Sequence, residues 1–335
     1  MKNDDQEKLE FLSKCEACEN PIEKVDEVLN VKGYSYVQCP NCQYIFLNPR
    51  PAVHSMGSYY PKDYYSFQMP TSRSLRDKLR GLVMLIEGEY PLPPLPWRLK
   101  AIAHLATRIF GSQIKVVLPY VQTFDHQPRL LEVGCGSGNF LEWARQAGWA
   151  DHGVEVEPQA VNNAKARKLN VVLGTLEQAN YPDAYFDAIL LDNSLEHMHH
   201  PLETLRECRR VLSQSGFLIV CVPNFESMGA DLFGSFWHLQ SAPHHLSQFS
   251  QKTLSGILSR AGFLTTKWRY KSLLLPDTLF RNLKTARATG SLKKGLPLYF
   301  RLWWNLTIKN TLFELLGIGD RLYRAEFITA YCKKT

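Results

Sequence analysis

The sequence contains no uninterrupted apolar run of the roughly 18 residues that a membrane-spanning helix needs. Its first ten residues, MKNDDQEKLE, are acidic where a secretory leader is basic and then apolar, so the expected location is the cytoplasm. It also lacks internal repeats and long Ser/Gly/Pro-rich or Gln/Asn-rich tracts. With 45% hydrophobic and 21% charged residues, the 335-residue chain is neither disordered nor collagen-like and is long enough for one large or two modest domains with a real core. A disulfide framework is missing as well. Of eight cysteines, four are gathered as Cys15-x-x-Cys18 and Cys39-x-x-Cys42, while Cys135, Cys208, Cys221 and Cys332 are scattered as small core residues are.

What charge there is lies unevenly. Residues 1–30 hold nine acids against four Lys, and residues 267–335 hold fourteen Lys/Arg against four acids. The two Cys-x-x-Cys pairs, separated by twenty residues, have the spacing of a four-cysteine zinc site. Four thiolates close a tetrahedron and leave no position for water, so such a Zn2+ is structural and stabilises a module too small to fold on a core alone. Residues 1–50 form that expected module, and 51–127 a connector. The connector is Tyr-rich near Tyr59, Tyr60, Tyr64 and Tyr65, then helical in two pieces broken at Pro91-Leu-Pro-Pro-Leu-Pro96.

From 129 onward short apolar strands alternate with helical stretches, the pattern of βαβ units on a mainly parallel sheet. Strands are expected at 129–133, 151–156, 170–173, 186–191, 216–222, 264–270 and 325–332, with helices near 138–148, 158–168, 201–212 and 251–261. Leu254, Ile257, Leu258 and Ala261 mark one face of the last helix. Gly134-Cys-Gly-Ser-Gly138 stands between a strand and a helix, where glycines let backbone approach a ligand closely and aim free N–H groups at it. Glu132 beside this loop opposes a pyrophosphate and suits a ligand carrying an ammonium or sulfonium. Twenty residues on, Glu155 ends the second strand, placed to accept from two ribose hydroxyls.

With Leu130-Leu-Glu-Val-Gly-Cys-Gly-Ser-Gly-Asn139, Gly153-Val-Glu-Val-Glu-Pro158, Gly174-Thr-Leu-Glu177, Tyr181-Pro-Asp-Ala-Tyr-Phe-Asp187 and Asn193-Ser-Leu-Glu-His197, the chain resembles the class I S-adenosylmethionine-dependent methyltransferases. The resemblance covers roughly 129–270 and the last strand. It implies an α/β, doubly wound, seven-stranded Rossmann-like core over 128–335. It also implies that Gly134, Gly136 and Gly138 wrap the methionine part of S-adenosylmethionine and that Glu155 holds the ribose. Leu176 and Glu177 would edge the adenine, and Asn193 would lie beneath the cofactor. The Cys pairs with Phe46-Leu-Asn-Pro-Arg-Pro51 and Tyr59-Tyr-Pro-Lys-Asp-Tyr-Tyr65 are similar to a sub-family with an N-terminal zinc knuckle and a Tyr-bearing lid, several members of which act on sugars or other cell-surface metabolites.

Methyl transfer to a hydroxyl or carbon acid needs an aligned acceptor and a route for its proton. His197, His199 and His200 follow the fourth strand, and His238, His244 and His245 the fifth, so both groups are expected at the ligand-binding rim. The stretch Pro243-His-His-Leu246 resembles a family segment usually written Arg-His or Glu-His before Leu, whose His is a proposed base in sugar C-methylating members, with His244 here in place of the charged residue. That makes His245 the first candidate and His197 the second. Residues 272–318 mix Leu, Phe, Tyr299, Trp303 and Trp304 with Lys and Arg, which reads either as a cap over the pocket or as an interfacial element at the inner face of the membrane.

The expected function is methylation of a small or lipid-linked acceptor at a sugar-type hydroxyl. Sugar C-methylation, RNA base methylation and a cofactor-binding scaffold without turnover are the alternatives. Nucleic acid is the disfavoured partner, because Asp192-Asn-Ser-Leu195 lacks the Asn/Asp-Pro-Pro-Tyr run of amino-methylating nucleic-acid enzymes. Oligomeric state is not readable from the sequence.

Overall fold

The computed structural model describes residues 8–60, 116–119, 121–271 and 325–335. Tyr64, Tyr65, the helical stretch expected before residue 116 and the 272–318 insertion lie outside the described residues. Within the expected connector, Val53–Tyr59 and Val121–Thr123 are 3-10 turns.

Strands are numbered in chain order. In the core they are β6 (Arg129–Val133), β7 (Ala150–Glu155), β8 (Val171–Leu173), β9 (Phe186–Asp192), β10 (Leu212–Pro223), β12 (Phe263–Lys271) and β13 (Phe327–Lys334). They form one sheet in the order β12-β13-β10-β9-β6-β7-β8, parallel from β8 to β10, with β13 antiparallel to both its neighbours. This is the mostly parallel, Rossmann-like methyltransferase fold. The central strands Arg129-Leu-Leu-Glu-Val133 and Phe186-Asp-Ala-Ile-Leu-Leu-Asp192 are nearly continuous in apolar residues because both faces are covered.

Alternation along each strand sorts those residues into two cores. Leu131, Val133, Ile189, Leu191, Val220 and Val222 face one, and Leu130, Ala188, Leu190, Ile219 and Cys221 face the other. The second core is closed by α1 (Asn139–Gln146) and α2 (Pro158–Ala166) through Leu141, Ala144, Val161 and Ala164. The first is closed by α4 (Pro201–Val211) and α6 (Gln251–Arg260) through Leu202, Leu205, Leu254, Ile257 and Leu258. The expected apolar face of α6 is therefore the buried one, and its start is fixed by a capping box between Ser250 and Thr253. The four scattered cysteines are all buried.

Near the N-terminus, β1 (Leu9–Glu10) pairs with β5 (Arg50–Pro51), and β2 (Asp26–Val31), β3 (Tyr34–Gln38) and β4 (Ile45–Leu47) form an antiparallel sheet. That sheet takes its fourth strand, β11 (Ser247–Gln248), from the far end of the chain. Cys15, Val37, Tyr44 and Phe46 pack into the same core as α4 and α6.

From β6 the chain winds through α1 and α2 to β7 and β8 on one side. It then crosses by the short α3 (Leu176–Ala179) to β9 on the other side. The order thus reverses between β6 and β9, and in open α/β sheets the crevice outside the carboxyl ends at such a point is where ligands bind.

Candidate functional site at the strand switch point

The glycine loop leaves β6 at this crevice. Gly134 (φ +75°) and Gly138 (φ +80°) take left-handed conformations, and a Cβ on them would stand 2.7 Å from the Ser194 Cβ and 2.4 Å from the Leu169 Cδ1. Glycine is therefore required twice over at both positions. The loop is tied to β7 by the amides of Gly134 and Cys135, which donate to the Val154 carbonyl at 2.9 and 3.2 Å. Glu155 completes the tie: one carboxylate oxygen accepts from the Gly136 amide at 2.8 Å, the other from Val156 at 2.8 Å and Glu157 at 3.0 Å. Burial nevertheless leaves the Glu155 carboxyl above its ordinary pKa, the three amides only partly opposing it.

Glu132 is buried at the end of β6, and its Oε2 has no hydrogen-bond partner. Burial first, then the charges of Asp192 and Glu155, push its pKa well above the ordinary carboxyl value. Across the crevice, β9 is followed by Asn193, held at φ +55° with its backbone amide on the Cys221 carbonyl at 2.9 Å. The Asn193 Oδ1 and the Ser194 Oγ are buried without partners as well. Buried oxygens of this kind cost free energy unless something pairs with them. At the outer edge Leu176 is buried, while the Glu177 carboxylate accepts from the Thr204 hydroxyl at 3.0 Å and is thereby tied to α4.

Directly after Asn193, the turn Leu195–His197 presents Glu196 and His197 to His245. The His197 and His245 rings meet edge to face with centroids 4.6 Å apart. His197 Nδ1 lies 2.9 Å from the His244 carbonyl and 3.0 Å from the Tyr60 hydroxyl; a carbonyl only accepts, so Nδ1 carries the proton. Burial lowers the His197 pKa to about 4 and that of His245 well below the ordinary imidazole value. His199 and His200 do other work. They bond the Pro51 carbonyl at 3.0 Å and the Glu16 carboxylate at 3.1 Å, holding the N-terminal segment against the core.

The family described as "Methyltransferase domain" matches residues 100–267, half of the 335-residue chain. The chain belongs to this family. Among curated relatives, it is 29% identical over 139 residues to a Mycobacterium tuberculosis protein named "Probable S-adenosylmethionine-dependent methyltransferase", covering 40% of this chain and 48% of that one. It is 26% identical over 179 residues to a "Ubiquinone biosynthesis O-methyltransferase" of Cereibacter sphaeroides, covering 50% of this chain and 70% of that one. The match spans about half the length of the first of these relatives. A solved S-adenosylmethionine-dependent methyltransferase from Archaeoglobus fulgidus aligns with 75% of this chain and 98% of its own, at 18% identity and a TM-score of 0.43.

The four N-terminal cysteines converge. Cys15, Cys18, Cys39 and Cys42 place their Sγ atoms within 4.8 Å of one another, with Cys15 to Cys42 at 3.6 Å and Cys18 to Cys39 at 3.7 Å. A tetrahedron with metal–sulfur bonds of about 2.3 Å has edges of about 3.8 Å, so the set fits zinc, whereas a disulfide needs about 2.05 Å. The amide of Ala17 points at the Cys15 sulfur at 3.4 Å and the Asn20 side-chain amide at the Cys18 sulfur at 3.5 Å, which suits thiolates.

The fold also places near the site residues to which sequence reasoning assigned no role. Glu196 stood inside the Asn193–His197 stretch, Asp192 at the head of Asp192-Asn-Ser-Leu195 and Arg50 inside Phe46–Pro51, each without a role of its own. Tyr36 carried no functional signal, since its partners are distant in the chain.

Proposed function

We propose that the protein transfers a methyl group from S-adenosylmethionine to a sugar-type hydroxyl of a small or lipid-linked acceptor, the His197–His245 corner assisting removal of the acceptor's proton. The observation that carries this reading is the pair of buried oxygens without partners, Glu132 Oε2 in β6 and Asn193 Oδ1 just after β9, on the two strands that flank the switch point. Glu155 and Asp192, with Glu132 once it ionises, are the groups that give a cationic ligand the negative potential it needs. When bound, the cofactor supplies an electrophilic methyl group on a sulfonium.

In this reading Gly134, Gly136 and Gly138 let the backbone come close to the methionine part, and Glu132 and Asn193 orient it. Glu155 keeps lone pairs for the ribose hydroxyls, and Leu176 with Glu177 borders the adenine. Burial keeps His197 and His245 neutral at physiological pH, so each has a nitrogen lone pair to offer a hydroxyl proton. The O-methyltransferase among the relatives supports oxygen as the acceptor atom. The cysteine tetrahedron supports one structural Zn2+ that fixes the N-terminal module.

The test is incubation with methyl-labelled S-adenosylmethionine and a host-cell extract, followed by separation into organic, aqueous small-molecule and RNA fractions. Label in the organic phase supports a lipid-linked acceptor and membrane docking by 272–318. Label among aqueous small molecules supports a cap role for that segment, and label in RNA overturns the acceptor class. Cofactor binding with no labelled fraction makes the protein a scaffold. Turnover unchanged in both His245→Ala and His197→Ala removes the proton role of this corner.

A further inference from the structure

The histidine corner contains a third polar group, and the three together have the composition of a metal site. One ligand atom from each of Glu196, His197 and His245 lies within 4.8 Å of the other two. Glu196 is 1% exposed and His245 7% exposed, and His245 Nδ1 has no hydrogen-bond partner.

The surroundings hold the His197 ring as an outer shell holds a metal-ligating histidine. His197 gives its Nδ1 proton to the His244 carbonyl, so the lone pair sits on Nε2. The buried, unpartnered Nδ1 of His245 is available on the ring that meets His197 edge to face. A backbone carbonyl on the second ring nitrogen is the usual means of fixing tautomer and orientation at a metal. The two chain segments are also clamped together, because the Leu246 amide donates to the Glu196 carbonyl at 2.8 Å.

We propose that Glu196, His197 and His245 bind a divalent first-row transition cation, such as zinc or manganese, beside the crevice at the end of β9. Two imidazoles and one carboxylate leave coordination positions open, and mixed nitrogen and oxygen donors suit these cations better than magnesium or calcium. The site differs from the four-cysteine site, whose thiolates fill the coordination sphere.

Its chemistry deepens the methyltransferase reading and rests on it. A cation lowers the pKa of a hydroxyl that it holds. The O–H bond breaks, the proton passes to solvent, and the oxygen keeps the electron pair. That pair forms the O–C bond as the sulfonium S–C bond breaks with its electrons going to sulfur. Glu196 and the two histidines then act on the acceptor's proton through the cation.

The test reads the metal without turnover. Protein with its cysteine site loaded with zinc is titrated with Mn2+ and followed by electron paramagnetic resonance. The expected result is one bound Mn2+ per chain showing nitrogen couplings from imidazole, and at least tenfold weaker binding in Glu196→Gln and His245→Gln. Absence of a bound Mn2+, and of any Zn2+ or Co2+ beyond the cysteine equivalent, overturns the site. Bound Mn2+ without nitrogen couplings also overturns it, and that measurement on the wild type stands even where a variant fails to fold. Undiminished binding in both folded variants does the same. Bound cation with no methyl transfer keeps the site and removes the activity, whereas transfer by metal-free protein at the full rate returns the proton step to an imidazole base.

Discussion

The hydroxyl of Tyr36 donates to the backbone carbonyl of His245 at 2.7 Å across 209 positions of the chain. Its proton is shared with the Gln240 carbonyl at 3.0 Å, and the whole side chain is buried. Tyr36 lies on β3 of the N-terminal sheet, and two further ties join the same parts: the pairing of β4 with β11, and the Leu47 amide on the Leu246 carbonyl at 2.8 Å. The cysteine module is thus the frame on which His245 hangs. Tyr36→Phe takes this donor from the His245 carbonyl and leaves the Gln240 carbonyl only the Gln248 side-chain amide at 3.3 Å, at a cost of about 1–3 kcal/mol. The expected outcome is a kcat lowered by roughly tenfold with cofactor affinity unchanged, read by steady-state kinetics beside calorimetric titration. Equal loss in both would mean general damage.

The same frame makes a prediction for the cysteines. Cys15 and Cys39 are fully buried and pack with Tyr44 and Phe46, so loss of a metal held by the four cysteines would expose part of a shared core. Structural zinc supplies on the order of 10 kcal/mol to small modules of this kind. Cys39→Ser should lose its zinc and show fast hydrogen exchange over residues 9–51 and 244–248. The strands β6 to β9 should keep slow exchange and still bind cofactor. Uniform slow exchange with zinc absent would mean that the module folds on its apolar contacts.

Arg50 gives a sharper test of the module's seating. It is 3% exposed and bonds Glu10 at 2.6 Å, Glu16 at 3.4 Å and the His199 carbonyl at 2.8 Å. Breaking a fully buried charge pair by removing one partner costs about 3–5 kcal/mol; here the Glu10 side chain is 36% exposed, so the cost is smaller, and Lys cannot reproduce the planar fork. Arg50→Ala should lower the unfolding midpoint in urea markedly, and Arg50→Lys should recover little of it. A midpoint unchanged in Arg50→Ala would show that the cluster is neutral in energy.

The core was legible because its signals are local. Short apolar runs such as Arg129–Val133 and Phe186–Asp192, the glycines of 134–138 and the spacing Leu254, Ile257, Leu258 each depend on a few neighbouring residues, and every expected core strand and helix formed within a few positions. The histidine corner was half legible: His197 and His245 were singled out separately, but their meeting depends on β11 joining a sheet formed some 200 residues earlier. β11 is two residues long and has no pattern of its own. Glu196 was hidden for another reason, since a carboxylate reads as solvated surface until tertiary packing buries it. Tyr36 reads as an ordinary strand residue because nothing local reveals where its hydroxyl goes.

Glu132 sets the last prediction, because one group opposes folding and serves binding. Its pKa in the folded protein lies well above the ordinary 4.5, burial being the main cause and the charges of Asp192 and Glu155 the next. Between the unfolded and folded values the native state binds more protons, so this group's contribution to stability falls as pH rises through that window. The penalty is complete above the folded pKa. A cationic ligand reverses the preference, since it favours the ionised carboxylate. Binding should therefore release a proton and weaken as pH falls through the raised pKa of the free protein. Glu132→Gln removes the ionisation while keeping the shape. It should unfold at a higher temperature than wild type at pH 7 and at an equal one near pH 4, and bind S-adenosylmethionine at least tenfold more weakly with no proton release. Calorimetry in two buffers of different ionisation enthalpy measures that release directly. A wild type that binds without releasing a proton would mean that Glu132 stays protonated beside the sulfonium and that Glu155 and Asp192 alone supply the negative potential.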